Sequence, residues 1–246
     1  VLKSHLGSTS VQAALAQEHH LPVLPSLVLN PVAGGVHYQV IIRALAEYQS
    51  NLAMKMIVHF PTLTGRSYQS KLQRKLAYPD LSECTLMPET VFDTQDKLKK
   101  EVIDILKMAN DYPIVLSTGH ASKQEVYALI EACAQYNVPS LLLNQPANPL
   151  TDLKADELAV IGQNEFVWVE QTALTLLLKH QSIEDFQAVV THVPRVIYSS
   201  DLGQTSQMDI MQWISVSERL FDEFNLTPKR QEEIKLYNPY HLLSMG

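Results

Sequence analysis

The residues of this chain best suited to chemistry are scattered along it, yet each stands where a short apolar run ends. "VLKSH" ends on His5, with Lys3 on the same face, and "MKMIVHFPT" carries His59 and then Thr62. "PIVLSTGH" ends on His120, "PSLLLNQP" carries Asn144, "EFVWVEQT" carries Glu170, and "RVIYSSD" ends on Asp201. Runs of this length and β-branched content read as buried strands. A carboxylate closing such a run needs a reason, because desolvating an ionised group is costly unless it is paired, hydrogen-bonded or metal-bound. A divalent ion would satisfy carboxylates and imidazoles converging at one end of a sheet; zinc takes such N and O donors at about 2.0–2.2 Å. Such an ion would lower the pKa of a bound water toward about 7 and so make it a nucleophile.

Positioning these groups requires alternating strands and helices. Strand segments at 1–5, 21–30, 54–62, 113–120, 139–146, 165–172 and 195–201 are separated by stretches of helical period near 9–19, 38–50, 94–110, 122–136, 152–161, 173–192 and 205–224. Ser122 followed by Glu125 predicts a capping box, and Thr227 before Pro228 predicts the start of a last helix. This pattern predicts an α/β fold with a parallel sheet buried on both faces, and specifically a TIM-type (β/α)8 barrel, whose reactive groups sit at the C-terminal ends of the strands. Seven strands, with the first run opening at Val1, lead to the expectation that the first βα unit is missing from this chain. Period-two alternation places Thr118, Leu116 and Ile114 on the face of His120, and Ser199 and Ile197 on the face of Asp201. Both faces are expected to line the barrel.

"VLKSH" followed by Thr9, "LVLNPVAGG", "LSTGH" before a capped helix, "SSDLGQ" and "NPYHLL" together resemble a poorly characterised branch of the amidohydrolase-like metal-dependent hydrolases. The resemblance runs over nearly the whole chain. It implies a TIM barrel, a mono- or dinuclear metal centre, and hydrolysis of an amide, lactone, ester or phosphoester in a small molecule. Matched residue by residue, it makes His120 the late-strand metal histidine and Asp201 the closing aspartate, which binds metal and takes the proton of the attacking water. His5 falls on the histidine of the "KSH" stretch, and Glu170 joins the metal candidates. The cofactor implied is a divalent metal, zinc first, with manganese or nickel as alternatives. Two departures stand out: the chain contains no His-x-His, and Asn144 stands where another strand-ending histidine is expected.

Lys3, His37, His59, Thr62 and Asn144 are read as substrate-binding, His37 because Gly34 and Gly35 beside it permit close backbone approach to a ligand. His19, His20, His180, His192 and His241 read as surface or packing residues, and Met208, Met211, Trp213 and Leu220 as a helix face packed on the barrel. The connection 63–93 reads as an active-site lid, whose Arg66, Lys71, Arg74 and Lys75 would draw in an anionic small substrate.

Composition narrows the field. A chain of 246 residues, 46% hydrophobic, carries enough apolar material for one domain spanning 1–246. A net charge of −7 without a basic stripe argues against nucleic acid. The absence of a Gly-rich phosphate turn argues against a nucleotide fold. Two cysteines cannot build a disulfide framework, and no leader or long apolar run is visible, so a cytoplasmic location and no membrane association are expected. A barrel short of one unit would expose strand edges, which predicts a homo-oligomer. Two other functions fit the same residues: a catalytically incompetent barrel that binds or assembles, and a metal-independent lyase using Lys3 as a Schiff-base former.

Overall fold

A computed structural model describes residues 1–48, 53–64, 78, 88–203 and 207–245. Six parallel strands form one sheet in sequential order: β1 (Ser26–Val28), β2 (Met56–His59), β3 (Ile114–Ser117), β4 (Leu141–Leu143), β5 (Val167–Thr172) and β6 (Val196–Ser199). The helices between them are α1 (Ser10–Glu18) before β1, α2 (Tyr38–Glu47), α3 (Lys100–Met108), α4 (Lys123–Gln135), α5 (Ala155–Ile161), α6 (Ala173–Leu177) and α7 (Ile183–His192). After β6 come α8 (Ile210–Glu223), α9 (Pro228–Glu232), a π-helical turn (Glu233–Tyr237) and α10 (Asn238–Leu243). The protein is therefore an α/β chain in which helices alternate with a parallel sheet.

Alternation along the strands divides the apolar residues between two layers. Leu27, Met56, Val58, Ile114, Leu116, Leu141, Val167, Val169, Val196 and Tyr198 belong to the large core shared with the helices. The opposite, inner face carries Ile57, Val115, Leu142 and Trp168, which pack with Leu24 and are covered by Leu242 and Leu243 of α10. Full burial of such aliphatic side chains is worth roughly 1.5–3 kcal/mol each. The C-terminal segment is held there by backbone pairing: Lys55 N–H donates to Leu243 O at 2.6 Å and Met245 N–H to Ala53 O at 3.0 Å. Two residues further along each strand, the same inner face turns polar, with His59, Ser117, Asn144, Glu170 and Ser199. An apolar floor thus supports a polar layer at the C-terminal ends of the strands.

Several expectations need correction. Segment 1–5 is not a ladder strand; it forms an isolated Ser4–Gly7 bridge and runs beside the approach to β1, where Leu2 N–H donates to Leu24 O at 2.8 Å. The predicted helix 173–192 is two helices. Lys179 takes φ +58°, buried Gln181 bonds Gln171 and Thr175, and Ser182 restarts the helix by accepting from Asp185 N–H. The Ser122–Glu125 capping box and the Thr227 cap form as expected. Leu220 is buried and Trp213 packs on the core, but Met211 is 69% exposed, so it is not part of that packed face. No helix among the described residues is long and apolar enough to cross a membrane. Most of the 63–93 connection, including Arg66, Lys71, Arg74 and Lys75, lies outside the described residues.

Candidate functional site

The polar layer is built by the strand ends one at a time. At the end of β3, "STGH" makes a turn that only glycine permits: Gly119 has φ +59°, and a Cβ there would stand 2.1 Å from the Phe60 carbonyl oxygen and 2.6 Å from that of Pro61. His120 N–H donates to Pro61 O at 3.0 Å, which docks the turn on the chain leaving β2. The turn also ends the strand alternation at Ser117. Leu116 and Ile114 consequently face the helices rather than sharing an inner face with His120, and Val115 and Ser117 take that face instead. At β6 the alternation holds, and Ile197 packs on the inner floor. Asp201 follows with φ +49°, a left-handed conformation that aspartate tolerates better than most residues.

Hydrogen bonds then join neighbouring strand ends. His59 Nδ1 lies 2.9 Å from Ser117 Oγ. Asn144 donates its side-chain amide to Glu170 Oε2, Ser199 Oγ donates to Glu170 Oε1 at 2.7 Å, and Asn144 N–H donates to Thr118 Oγ1 at 3.0 Å. The Asn144 Oδ1 atom is buried without a hydrogen-bond partner among the described residues. His5 Nδ1 meets Thr62 Oγ1 at 2.7 Å. Across the site, Lys3 Nζ donates to Asp201 Oδ1 at 3.3 Å.

That last contact reports on the shape of the sheet. β1 and β6 are its two edges, and in a flat sheet with strands spaced at about 4.8 Å they would lie about 24 Å apart. Lys3 sits in the segment beside β1, and Asp201 follows β6. Their ion pair requires the sheet to curl until its two sides approach.

The electrostatics show the same convergence. Burial holds the His59 imidazole well below its usual pKa, with Lys3, His120 and His5 adding to the effect. Burial, then Lys3 and His5, bring His120 down to about 4, against the opposing pull of Asp201 and of a hydrogen bond to the Thr62 backbone. The Glu170 carboxyl is raised by burial and by Asp201, while Lys3, Ser199 and Asn144 oppose the shift. The structure therefore brings together Lys3, His5, His59, Thr62, His120, Asn144, Glu170 and Asp201. It does not bring in His37, whose Nδ1 caps α2 by accepting from Gln39 N–H at 3.1 Å and whose ring stacks on Tyr38.

Asn30 is a site residue that strand-end reading passed over. Completely buried, it donates to His5 O and Thr62 Oγ1 and accepts from the N–H groups of Thr62 and Leu63. Its signal was present in "LVLNP", a polar residue closing an apolar run just as Asn144 does. Ser117 and Ser199 were likewise not expected to hold the imidazole and the carboxyl that they do.

The expected metal can be tested against these donors. Neutral imidazoles and a carboxylate are the right species for zinc. Yet Asp201 carries the Lys3 ammonium on one oxygen. Among the described residues, no group of three or more His, Cys, Asp or Glu side chains could hold a metal ion. The described residues do not by themselves fit a metal centre.

The fold and the site define an α/β protein whose parallel strands gather imidazoles, carboxylates and one ammonium at their C-terminal ends. The chain belongs to a family of unknown function, DUF6282, whose model matches residues 1–170. The match takes in every clustered residue up to Glu170 and leaves Asp201 outside. No curated protein matches the chain. Among solved structures, an amidohydrolase from Burkholderia multivorans, crystallised with bound HEPES, is similar over 95% of this chain and 87% of that one, with 11% identity and a TM-score of 0.47.

Proposed function

We propose that this protein is a small-molecule hydrolase of the amidohydrolase type, built on a TIM-type barrel frame of which these six strands form the larger part. The observation that carries the reading is the Lys3–Asp201 ion pair closing a ring of polar groups at the C-terminal strand ends. That station is where barrel enzymes keep their reactive groups.

In this reading Asp201 accepts a proton from water at its second carboxylate oxygen as the water oxygen bonds to a carbonyl or phosphoryl centre. The same proton passes to the leaving group as the scissile bond breaks, which restores the carboxylate. Lys3 positions Asp201 through Oδ1. His59, Thr62 and Asn144 line the pocket, and His120, its pKa near 4, is a neutral imidazole at physiological pH. The described residues do not complete a site for a metal ion.

The test is a hydrolysis panel of amide, lactone, ester and phosphoester compounds, run on the full chain with and without added zinc or manganese, beside metal analysis of the protein as purified. Turnover that falls at least 100-fold in Asp201→Asn is expected. No turnover of any class, with or without metal, would remove the enzyme reading. A binding protein would then stand in its place, a second reading favoured by the lysine already seated on Asp201.

A further inference from the structure

Two polar atoms at the strand ends, Asn144 Oδ1 and Thr172 Oγ1, have no hydrogen-bond partner among the described residues. They flank Glu170. Asn144 follows β4 and gives its side-chain NH2 to Glu170 Oε2, while Ser199 donates to Glu170 Oε1. A carboxylate only accepts, so the amide turns its NH2 to Glu170 and leaves its carbonyl oxygen over. Thr172 closes β5, two residues beyond Glu170 and opposite Ser199 in the ladder. Its backbone is still extended, with φ −120° and ψ 145°, so alternation keeps its side chain on the face of Glu170. Gln171 turns the other way and bonds Gln181 and Thr175.

The fold gives neither atom a use. Thr172 stands at the N-cap of α6, where a threonine hydroxyl ordinarily accepts from a backbone N–H of the first turn, yet it makes no such bond. Asn144 is 1% exposed and Thr172 0%. Buried polar groups left unpaired are rare in native structures, and each calls for a cause. Between the two, Glu170 is the one residue of β5 that is not fully buried, so the polar layer opens to solvent there.

We propose that Asn144 and Thr172 form a recognition pair for an amide group of the ligand: the Asn144 carbonyl oxygen accepts the amide N–H, and the Thr172 hydroxyl donates to the amide oxygen. One atom can only accept and the other has a hydrogen to give. A secondary amide meets both, whereas an ester, lactone or phosphodiester brings oxygen acceptors and no hydrogen. A site that hydrogen-bonds a ligand N–H rejects an analogue lacking it, because the buried acceptor then stays unpaired. The pair thus selects one of the four compound classes of the proposed reaction. It rests on that reading for the location of the pocket and not for turnover, since it concerns recognition rather than the bond that breaks.

Binding of small probes to the full chain, followed by NMR at about pH 8, well above the ordinary carboxyl range, tests the pair without any turnover. The probes are N-methylacetamide, methyl acetate of nearly the same shape, and N,N-dimethylacetamide, which keeps the amide oxygen but has no N–H. The Asn144 side-chain amide and Thr172 methyl signals are assigned by their loss in Asn144→Asp and Thr172→Val. Saturable shifts of both are expected with N-methylacetamide, and binding at least about 10-fold weaker with the other two probes. Equal binding of the three, shifts that miss both residues, or no saturable shift up to roughly 0.1 M N-methylacetamide overturns the proposal. Thr172→Val removes the hydroxyl at nearly constant shape. The melting temperature should not fall, because the hydroxyl holds no partner in the fold, while N-methylacetamide binding weakens about 10-fold. A lowered melting temperature with unchanged binding would mean that the hydroxyl serves the fold, and it would remove Thr172 from the pair. Preference for N-methylacetamide in a protein that turns over no compound class would end the hydrolase reading and leave this one standing; turnover without that preference would do the reverse.

Discussion

Lys3 and Asp201 are 198 positions apart in sequence and form an ion pair at 3.3 Å, with their side chains 21% and 27% exposed. The contact links the segment leading to one edge of the sheet with the residue following the other edge. Lys3→Met is expected to destabilise the fold by about 1–3 kcal/mol, because it leaves a partly buried carboxylate without its cation. Asp201→Asn should cost less, and the double variant should recover roughly 1 kcal/mol of the summed loss if the pair is directly coupled. Urea unfolding of the four proteins measures this; strict additivity would show that the pair contributes nothing to closure.

His120 predicts how stability changes with acid. Its folded pKa, about 4, lies below the ordinary value of 6.5. Between those values the unfolded chain binds a proton that the folded chain does not, so stability rises with pH across the window. This contribution is complete above about pH 6.5 and is lost as pH falls toward 4; its size is on the order of 1–3 kcal/mol. His59, shifted in the same direction, steepens the slope. His120→Gln should flatten the pH 4–6.5 limb of the stability curve, as followed by thermal unfolding. An unchanged slope would mean that His120 is solvated.

Gly119→Ala tests whether the turn after β3 is as tight as it looks. The added methyl would stand 2.1 Å from a backbone oxygen, in a conformation with φ +59°, and a main-chain neighbour cannot swing aside as a side chain can. A loss of about 3–5 kcal/mol is expected. Alanine at Gly203, where no described residue lies within 4 Å of a Cβ, meets the strain of φ +139° and should cost less. Comparing the two midpoints separates steric clash from backbone preference.

Much of this arrangement was legible in the chain. Six of the seven strand segments exist because apolar β-branched runs bounded by turns have few other ways to bury themselves. Placing His59, His120, Asn144, Glu170 and Asp201 at strand ends needed only those boundaries. What could not be read was anything dependent on a turn or on curvature. Gly119 shifts His120 off the alternation of β3, so Leu116 faces the helices although simple alternation predicts it beside His120. His37 looked like a pocket residue beside two glycines, but the N-terminus of α2 needed a cap and His37 supplies it. Segment 1–5 has strand composition, yet whether such a run joins a ladder depends on what lies on both sides of it. Asn30 was passed over for a different reason: its role is set by four hydrogen bonds to residues up to 33 positions away.

Glu170 offers the opposite pH dependence to His120. Burial raises its carboxyl above the ordinary value, so above that value the folded chain holds a proton that the unfolded chain has released. Stability from this group therefore falls as pH rises from about 4.5 through the folded pKa. Glu170→Gln removes the titration while keeping an oxygen to accept from Ser199 or Asn144. The variant should match the parent near pH 4.5 and become more stable than it toward pH 8. Glu170→Ala should instead lose about 2–4 kcal/mol at every pH, because it strands the Asn144 amide and the Ser199 hydroxyl in a buried layer. Thermal unfolding of the three proteins across this pH range decides the matter. If Glu170→Gln loses stability on going to pH 8 as steeply as the parent, the carboxyl is ionised and paired, and Lys3 must then serve Glu170 as well as Asp201.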